Sequence, residues 1–183
     1  MVFGRRRASR RDPLADVDPA AAPPRFAAGV ANVVSTRRQY ASLVAGLAPG
    51  PVRDRLANLS DQVDAGVAAV WATVQRAGEI ERIVATLDPD AVTAAYKQAK
   101  RSGGDPDVVA AHEARFASVQ RLLNSLDDTD ERLNLLEARL GGIVARAAEV
   151  ALAAGSGVND LDAELSGVVH ELGALRTALD ELG

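Results

Sequence analysis

The chain has 183 residues, of which 48% are hydrophobic and 25% charged, a composition typical of one globular domain and not of a disordered chain. Only six residues are aromatic, so the core must consist of Ala, Val and Leu, as in helices that meet along narrow seams, whereas sheets usually contain more aromatic residues. The lack of cysteine excludes disulfides, thiolate metal sites and cysteine nucleophiles, and every uncharged run is shorter than the roughly 18 residues of a membrane-spanning helix.

The N-terminal segment, residues 1–24, has the composition of a disordered, basic and Pro-rich tail. Its first eleven residues carry five arginines and no acidic residue, which gives this stretch a charge of +5. Because the net charge of the chain is −4, the remaining residues carry −9. No apolar stretch follows the arginines, so a signal peptide is not supported and we expect a cytoplasmic protein. The residues expected to contact an anionic membrane surface, or alternatively nucleic acid, are Phe3, Arg5, Arg6, Arg7, Arg10 and Arg11.

The rest of the chain, residues 25–183, is predicted to form a single all-α coiled-coil domain. Apolar residues recur along it at alternating spacings of four and three, the pattern of a helix seam, and Pro or Gly stands at each interruption. Asp88-Pro89 and Asp105-Pro106 are each suited to the cap and first turn of a helix. The expected helices cover about 25–47, 51–87, 89–101, 106–154 and 158–182.

The first two predicted helices differ in their seams. The seam of the first helix has one exception, Arg37, and residues 48–51, with two prolines and a glycine, leave room only for a tight turn. The seam of the second helix, from Val52 to Val74, repeats every eleven residues, which indicates little or slightly right-handed supercoiling.

The last two predicted helices carry the clearest seams. From Leu122 to Ala154 nine of ten seam positions are apolar, with Thr129 as the exception, and from Val158 to Leu182 all are apolar. Gly141-Gly142 lies inside the first of these seams, where each glycine costs up to about 1 kcal/mol relative to alanine. We therefore expect a close helix crossing or a bend at this position.

Helix lengths predict the architecture. Residues 51–101 and 106–154 are nearly equal in length and are joined by a short Gly-containing turn, so we expect a long antiparallel coiled-coil hairpin of about 75 Å. The two shorter helices flank only its base and complete a four-helix bundle there, from which a two-helix stalk protrudes. Counting residues along the helices places Trp71, Phe26 or Ala27, the turn 133–136 and Leu179 in one buried layer.

The end of the predicted stalk holds the candidate partner-binding site, which consists of Tyr96, Lys97, Lys100 and Arg101. These residues concentrate positive charge in an otherwise acidic body, beside an aromatic ring. The alternative interpretation is that the cations only complement the C-terminus of a helix. The stalk seam contains polar residues such as His112, so we expect the two helices to be weakly held there.

The remaining polar residues do not form a catalytic or metal-binding pattern. His112 is predicted to be a polar seam residue and His170 an exposed one, and neither has a second ligand at a suitable spacing. The carboxylates between Asp127 and Glu131 point around a helix axis and lack the spacing of a calcium loop, which favours a solvated face or a local helix break. Ser and Thr have no activating partner. We therefore expect no enzyme activity, no cofactor, no bound metal and no small-molecule substrate.

These observations favour a non-catalytic coiled-coil scaffold or adaptor that binds a protein partner or a second copy of itself. Its arginine-rich segment is expected to reach a membrane surface, and the alternative is a nucleic-acid-associated protein that uses the same arginines. The long hairpin with shorter helices resembles, in organisation only, the bacterial phage-shock A type of membrane-remodelling proteins, which implies a role in membrane stress. Nineteen Arg against two Lys is typical of proteins from GC-rich bacteria.

Overall fold

The computed structural model describes residues 14–153 and 158–182, and all regular structure in these two ranges is helical. This confirms the predicted all-α class. The bounds of the α-helices lie within two residues of those expected from the sequence, which is the usual uncertainty of a helix end. A 3₁₀ helix, Pro19–Ala21, precedes α1 (Pro24–Gly46), α2 (Pro51–Leu87), α3 (Pro89–Ser102), α4 (Pro106–Leu152) and α5 (Val158–Asp180).

Proline opens each of the first four α-helices, because its fixed φ suits the first turn and its missing N–H needs no partner there. Two aspartates cap the following helices: Oδ1 of Asp88 accepts from the N–H of Ala91 at 3.1 Å, and Oδ1 of Asp105 accepts from the N–H of Asp107 at 2.9 Å. Asp88 has φ of 49°, a left-handed conformation that Asp tolerates better than most residues. The chain therefore breaks sharply between α2 and α3.

Four helices share one main hydrophobic core: α2 contacts α1, α4 and α5, and α4 in turn contacts α1 and α5. By contrast, α3 contacts α4 and only the end of α2. At Gly66 of α2 a Cβ would lie 3.6 Å from Cδ2 of Leu140, an ordinary van der Waals distance, so this position packs against α4. Leu140 itself is 2% exposed and belongs to the main core.

Polar contacts give the relative directions of neighbouring helices. Residue numbers rise in one helix and fall in the other for α1 with α2 and for α4 with α5, whereas they rise together for α1 with α4 and for α2 with α5. The antiparallel pairs are Tyr40 with Leu56, Arg37 with Asp64, Arg139 with Glu171, and Arg146 with Glu164. The parallel pairs are Arg25 with Asp127, Asn32 with Glu137, Gln62 with Asp162, and Arg76 with Asp180.

The structure corrects the expectation that Trp71 lies at the centre of a buried layer. Phe26 is 3% exposed and lines a small internal space together with Val70, Val74 and Leu133. Trp71 is only partly buried and packs at the edge of the main core. One residue along a helix rotates the side chain by about 100°, so Val70 and Val74 occupy the inward positions and Trp71 does not.

Residues 14–24, which the composition assigned to a disordered tail, are instead ordered and pack on the helices. Leu14 and Ala22 are each 8% exposed, and Val17 lies against the main core. Pro23 lies on α2 at Gly78, where an added Cβ would be only 2.6 Å from the Cγ of the proline. The tail prediction is therefore wrong for these residues, because a few irregularly spaced apolar side chains fill a site that a glycine leaves open. Residues 1–13 lie outside the described residues.

Tyr40, which joins α1 to α2, makes the stability of the fold depend on pH. Its side chain is 1% exposed, its O–H donates to the carbonyl of Leu56 at 2.7 Å, and burial raises the pKa of its phenol to about 12. The phenol of the unfolded chain titrates near pH 10. The contribution of Tyr40 to the free energy of unfolding is therefore complete below pH 10 and is lost as the pH rises through about 12.

We expect the free energy of unfolding to fall by about 1 kcal/mol between pH 9 and pH 11 because of this residue. Urea unfolding at the two pH values measures the change. Tyr40→Phe is the control, since it keeps the ring and removes the titrating group, and it should show a loss smaller by that amount. Equal losses in both proteins would mean that Tyr40 is not buried as described.

Candidate interaction sites

The predicted basic site lies at the C-terminal end of α3. Lys97, Lys100 and Arg101 are all exposed. Nε of Arg101 donates to the carbonyl oxygen of Lys97 at 3.2 Å. The arginine therefore satisfies a backbone carbonyl at the C-terminus of α3, as the alternative interpretation expects. Lys97 and Lys100 form no ion pair within the described ranges of the chain. These two ammonium groups are therefore the part of the predicted site that has no ion pair among the described residues.

An aromatic pair lies beside the basic residues. The rings of Tyr96 and Phe116 stack with their centroids 5.0 Å apart and their planes at 16°, which joins α3 to α4. Nζ of Lys100 lies 5.8 Å from the centroid of the Tyr96 ring, a cation–π distance. Sequence reasoning missed Phe116, because Tyr96 lies six residues before the end of α3 and Phe116 ten residues after the start of α4, so counting from the turn does not pair them.

Little apolar surface is buried where α3 meets α4. Val92 and Val119 are 3% and 2% exposed, and both lie outside the main core. Val108, in the first turn of α4, is 52% exposed, and His112 is half-buried as expected of a polar seam residue. The contact between α3 and α4 is therefore narrow and partly polar.

The second predicted site falls outside the described residues. Its members are Phe3, Arg5, Arg6, Arg7, Arg10 and Arg11. The predicted break at Gly155-Ser156-Gly157 lies outside them too. In the part of the chain that is described, none of the helices combines the length and the apolar character that crossing a bilayer requires.

The acidic cluster of α4 joins two helices. Nη2 of Arg25 in α1 lies 2.7 Å from Oδ1 of Asp127, and its Nε lies 3.5 Å from Oδ2 of Asp130. The hydrogen bond from Arg25 to Asp127 raises the pKa of the guanidinium further above its usual range. The helix α4 runs through the cluster without interruption, so of the two alternatives expected from the sequence, a solvated face or a local break, the break is not present. In residues 14–153 and 158–182 no three His, Asp or Glu side chains converge as metal ligands.

The structure adds a surface groove between α4 and α5 that sequence reasoning missed. Two adjoining spaces of about 400 and 260 Å³ share Arg139 and Glu171 on their rims, and Gly142 faces Gly167 across the larger one. A Cβ built on Gly141 or Gly142 would meet nothing within 4 Å, so of the two expected features, a close helix crossing or a bend, the close crossing is absent among the described residues. The glycines therefore lack an explanation in the packing of a single chain.

The comparisons with known proteins give no relative for this chain. No protein-family model matches it. No curated protein matches it, and no solved structure matches it. The resemblance in organisation to the phage-shock A type rests on the order and lengths of the helices alone.

Proposed function

We propose that the chain is a non-catalytic coiled-coil scaffold or adaptor, in which a four-helix base holds out a two-helix stalk that binds another protein. The base is formed by α1, α2, α5 and the second half of α4. The stalk is defined as residues 89–119, which comprise α3, the turn and the first part of α4. The observation that carries the proposal is that α3 contacts only α4 and the end of α2, while Lys97 and Lys100 at its far end have no ion pair among the described residues.

The contacts along α4 support this division. Leu122 and Leu123 pack against the main core, and the helix then contributes a buried residue at nearly every seam position as far as Val150. Between Pro106 and Val119 the helix contributes only Val119 as a buried side chain. At 1.5 Å per residue the 14-residue α3 is about 20 Å long, and apart from α4 and the end of α2 it contacts no other described helix.

The chemistry of the stalk end favours an acidic protein surface as the partner. Two unpaired ammonium groups would meet carboxylates, and exposed Val108 would supply an apolar contact beside them. Rim charges of this kind act mainly on the rate of association and on the choice of partner. The expectations of a cytoplasmic location and of a membrane-surface contact through the N-terminal arginines remain predictions.

Charge reversal at the stalk end is expected to abolish partner binding. A photo-cross-linking amino acid in place of Val108 in the full chain would trap whatever protein docks there, in cells. The double variant Lys97→Glu, Lys100→Glu should reduce the trapped adduct by at least about tenfold, because like charges then face each other across the interface. Both side chains are exposed, so the thermal midpoint should stay nearly unchanged.

The matched control is Arg38→Glu, Arg55→Glu. These two arginines are exposed on the base and form no ion pair with any described residue, and their reversal changes the net charge by the same amount. The adduct should survive in this control. If the adduct also survives reversal of Lys97 and Lys100, the basic end of α3 is only a complemented helix terminus and the partner binds elsewhere.

A further inference from the structure

The solvent face of α4 in the base carries a second apolar seam. Leu135, Ala138, Gly142 and Ala145 follow the three-and-four spacing of a packed helix, yet all four are exposed, and Leu135 retains 52% of its accessible surface. The outer face of a bundle helix normally carries charged residues. The inner seam of α4 already packs in the main core. The fold of a single chain therefore does not require the outer seam.

Gly142 is the point where this outer seam would admit another helix most closely. It lies in the interior of α4, where alanine forms helix better, and a Cβ there would meet nothing within 4 Å. Gly142 has no positive φ that would require glycine. The groove beside it, between Gly142 and Gly167, is wide because both residues lack a side chain.

Charges of both signs lie along the same face, with Arg132 among the first of them and Glu149 as the last. Asp128 and Glu131 precede Leu135 and form no ion pair with the described part of the chain, whereas Arg139 and Arg146 follow Leu135. Both arginines already pair with α5, through Glu171 and Glu164, but a guanidinium has five N–H donors and can bind a further carboxylate. An antiparallel copy of the same face can therefore place Glu131 opposite Arg146, while Asp128 lies opposite Glu149 at the ends of the contact.

One symmetry axis satisfies both features. Leu135 and Gly142 lie equally far from a point between Ala138 and Arg139, and so do Glu131 and Arg146. A two-fold axis at that point would seat Leu135 of each copy on Gly142 of the other and set Glu131 beside Arg146 of the other. A surface that is complementary to itself in this way is the requirement for a closed dimer.

We propose that residues 131–146 of α4, with the groove beside α5, bind a second copy of this chain with the two α4 helices antiparallel. The base face then carries the self-association, while the stalk end stays free for another partner. The self-association does not rest on the stalk proposal, since the two surfaces use different residues.

Sedimentation of the full chain at several concentrations tests the dimer. The wild-type protein should approach twice the 19.1 kDa chain mass. Gly142→Gln should raise the dissociation constant at least about thirtyfold, because overpacking affects both symmetric contacts. The same variant should fold normally, since the site is open within one chain.

The control is Gly173→Gln, at an equally open position of α5 outside the groove, and it should dimerise like the wild type. A second test uses the lack of cysteine in the natural sequence. Ala138→Cys, close to the axis, should oxidise to a disulfide-linked dimer, whereas Ala57→Cys on the exposed face of α2 should not. A wild-type protein that sediments only as a monomer, or a Gly142→Gln variant that dimerises like the wild type, would overturn the proposal.

Discussion

Leu140→Ala is expected to lower the free energy of unfolding by about 3–5 kcal/mol, the largest effect of any single truncation that we propose. Leu140 is 2% exposed, and its Cδ2 would lie 3.6 Å from a Cβ built on Gly66, so its side chain packs between α2 and α4. Two long helices that also contact their other neighbours cannot collapse into the space that the side chain leaves. Urea unfolding followed by circular dichroism, at a fixed protein concentration, measures the loss.

Leu152→Ala is the matched control for this prediction. It makes the same chemical change in the same helix, at a side chain that is 89% exposed, and should alter the free energy of unfolding by less than about 0.5 kcal/mol. Similar losses for the two variants would show that α2 and α4 do not meet at Leu140. The comparison therefore tests the main core independently of any partner.

The helices were predictable because proline and aspartate stand at the positions where they begin. Prolines open four of the α-helices, and Asp88 and Asp105 cap the two that begin with Asp-Pro. These signals are local, since they depend on φ, on a missing N–H and on a side chain two or three residues away. For this reason sequence reasoning located the break between α2 and α3 at the correct residue.

The environment of Trp71 shows what residue counting misses. Equal rise per residue places the tryptophan at the correct level along the bundle, but it carries no information about rotation around the helix axis. The apolar repeat of α2 contains Val70 and Val74, and these residues face Phe26 and Leu133. The repeat was the better guide to packing, and the size of the aromatic ring was misleading.

Two features escaped prediction because they depend on glycine and on tertiary contacts. The segment 14–24 has no periodicity, and only the open site at Gly78 shows why Pro23 can pack on α2. The outer seam of α4 was obscured by the stronger inner seam, since a pattern search registers apolar side chains and passes over Gly142. By contrast, the basic end of α3 was found from sequence, because charge and its position near a turn are visible in the chain itself.

The central claim is that a weakly held stalk projects from a stable base. It can be tested within α4, because this one continuous helix contributes its first part to the stalk and its second part to the base. Its second half, residues 126–150, contributes buried side chains throughout, whereas residues 106–118 contribute none. Amide protection follows local stability, so it should differ between two parts of one helix only if their tertiary contacts differ.

Hydrogen exchange of the free protein, followed by mass spectrometry, is the most direct measurement. After correction for intrinsic rates, amides in residues 106–116 and in α3 should exchange at least about a hundredfold faster than those in residues 133–147, since about 3 kcal/mol of extra stability gives that ratio. The base helix α2, from Leu56 to Ile80, should be protected as strongly as residues 133–147. Uniform protection along the whole of α4 would contradict the account, because the stalk would then be as firmly held as the base.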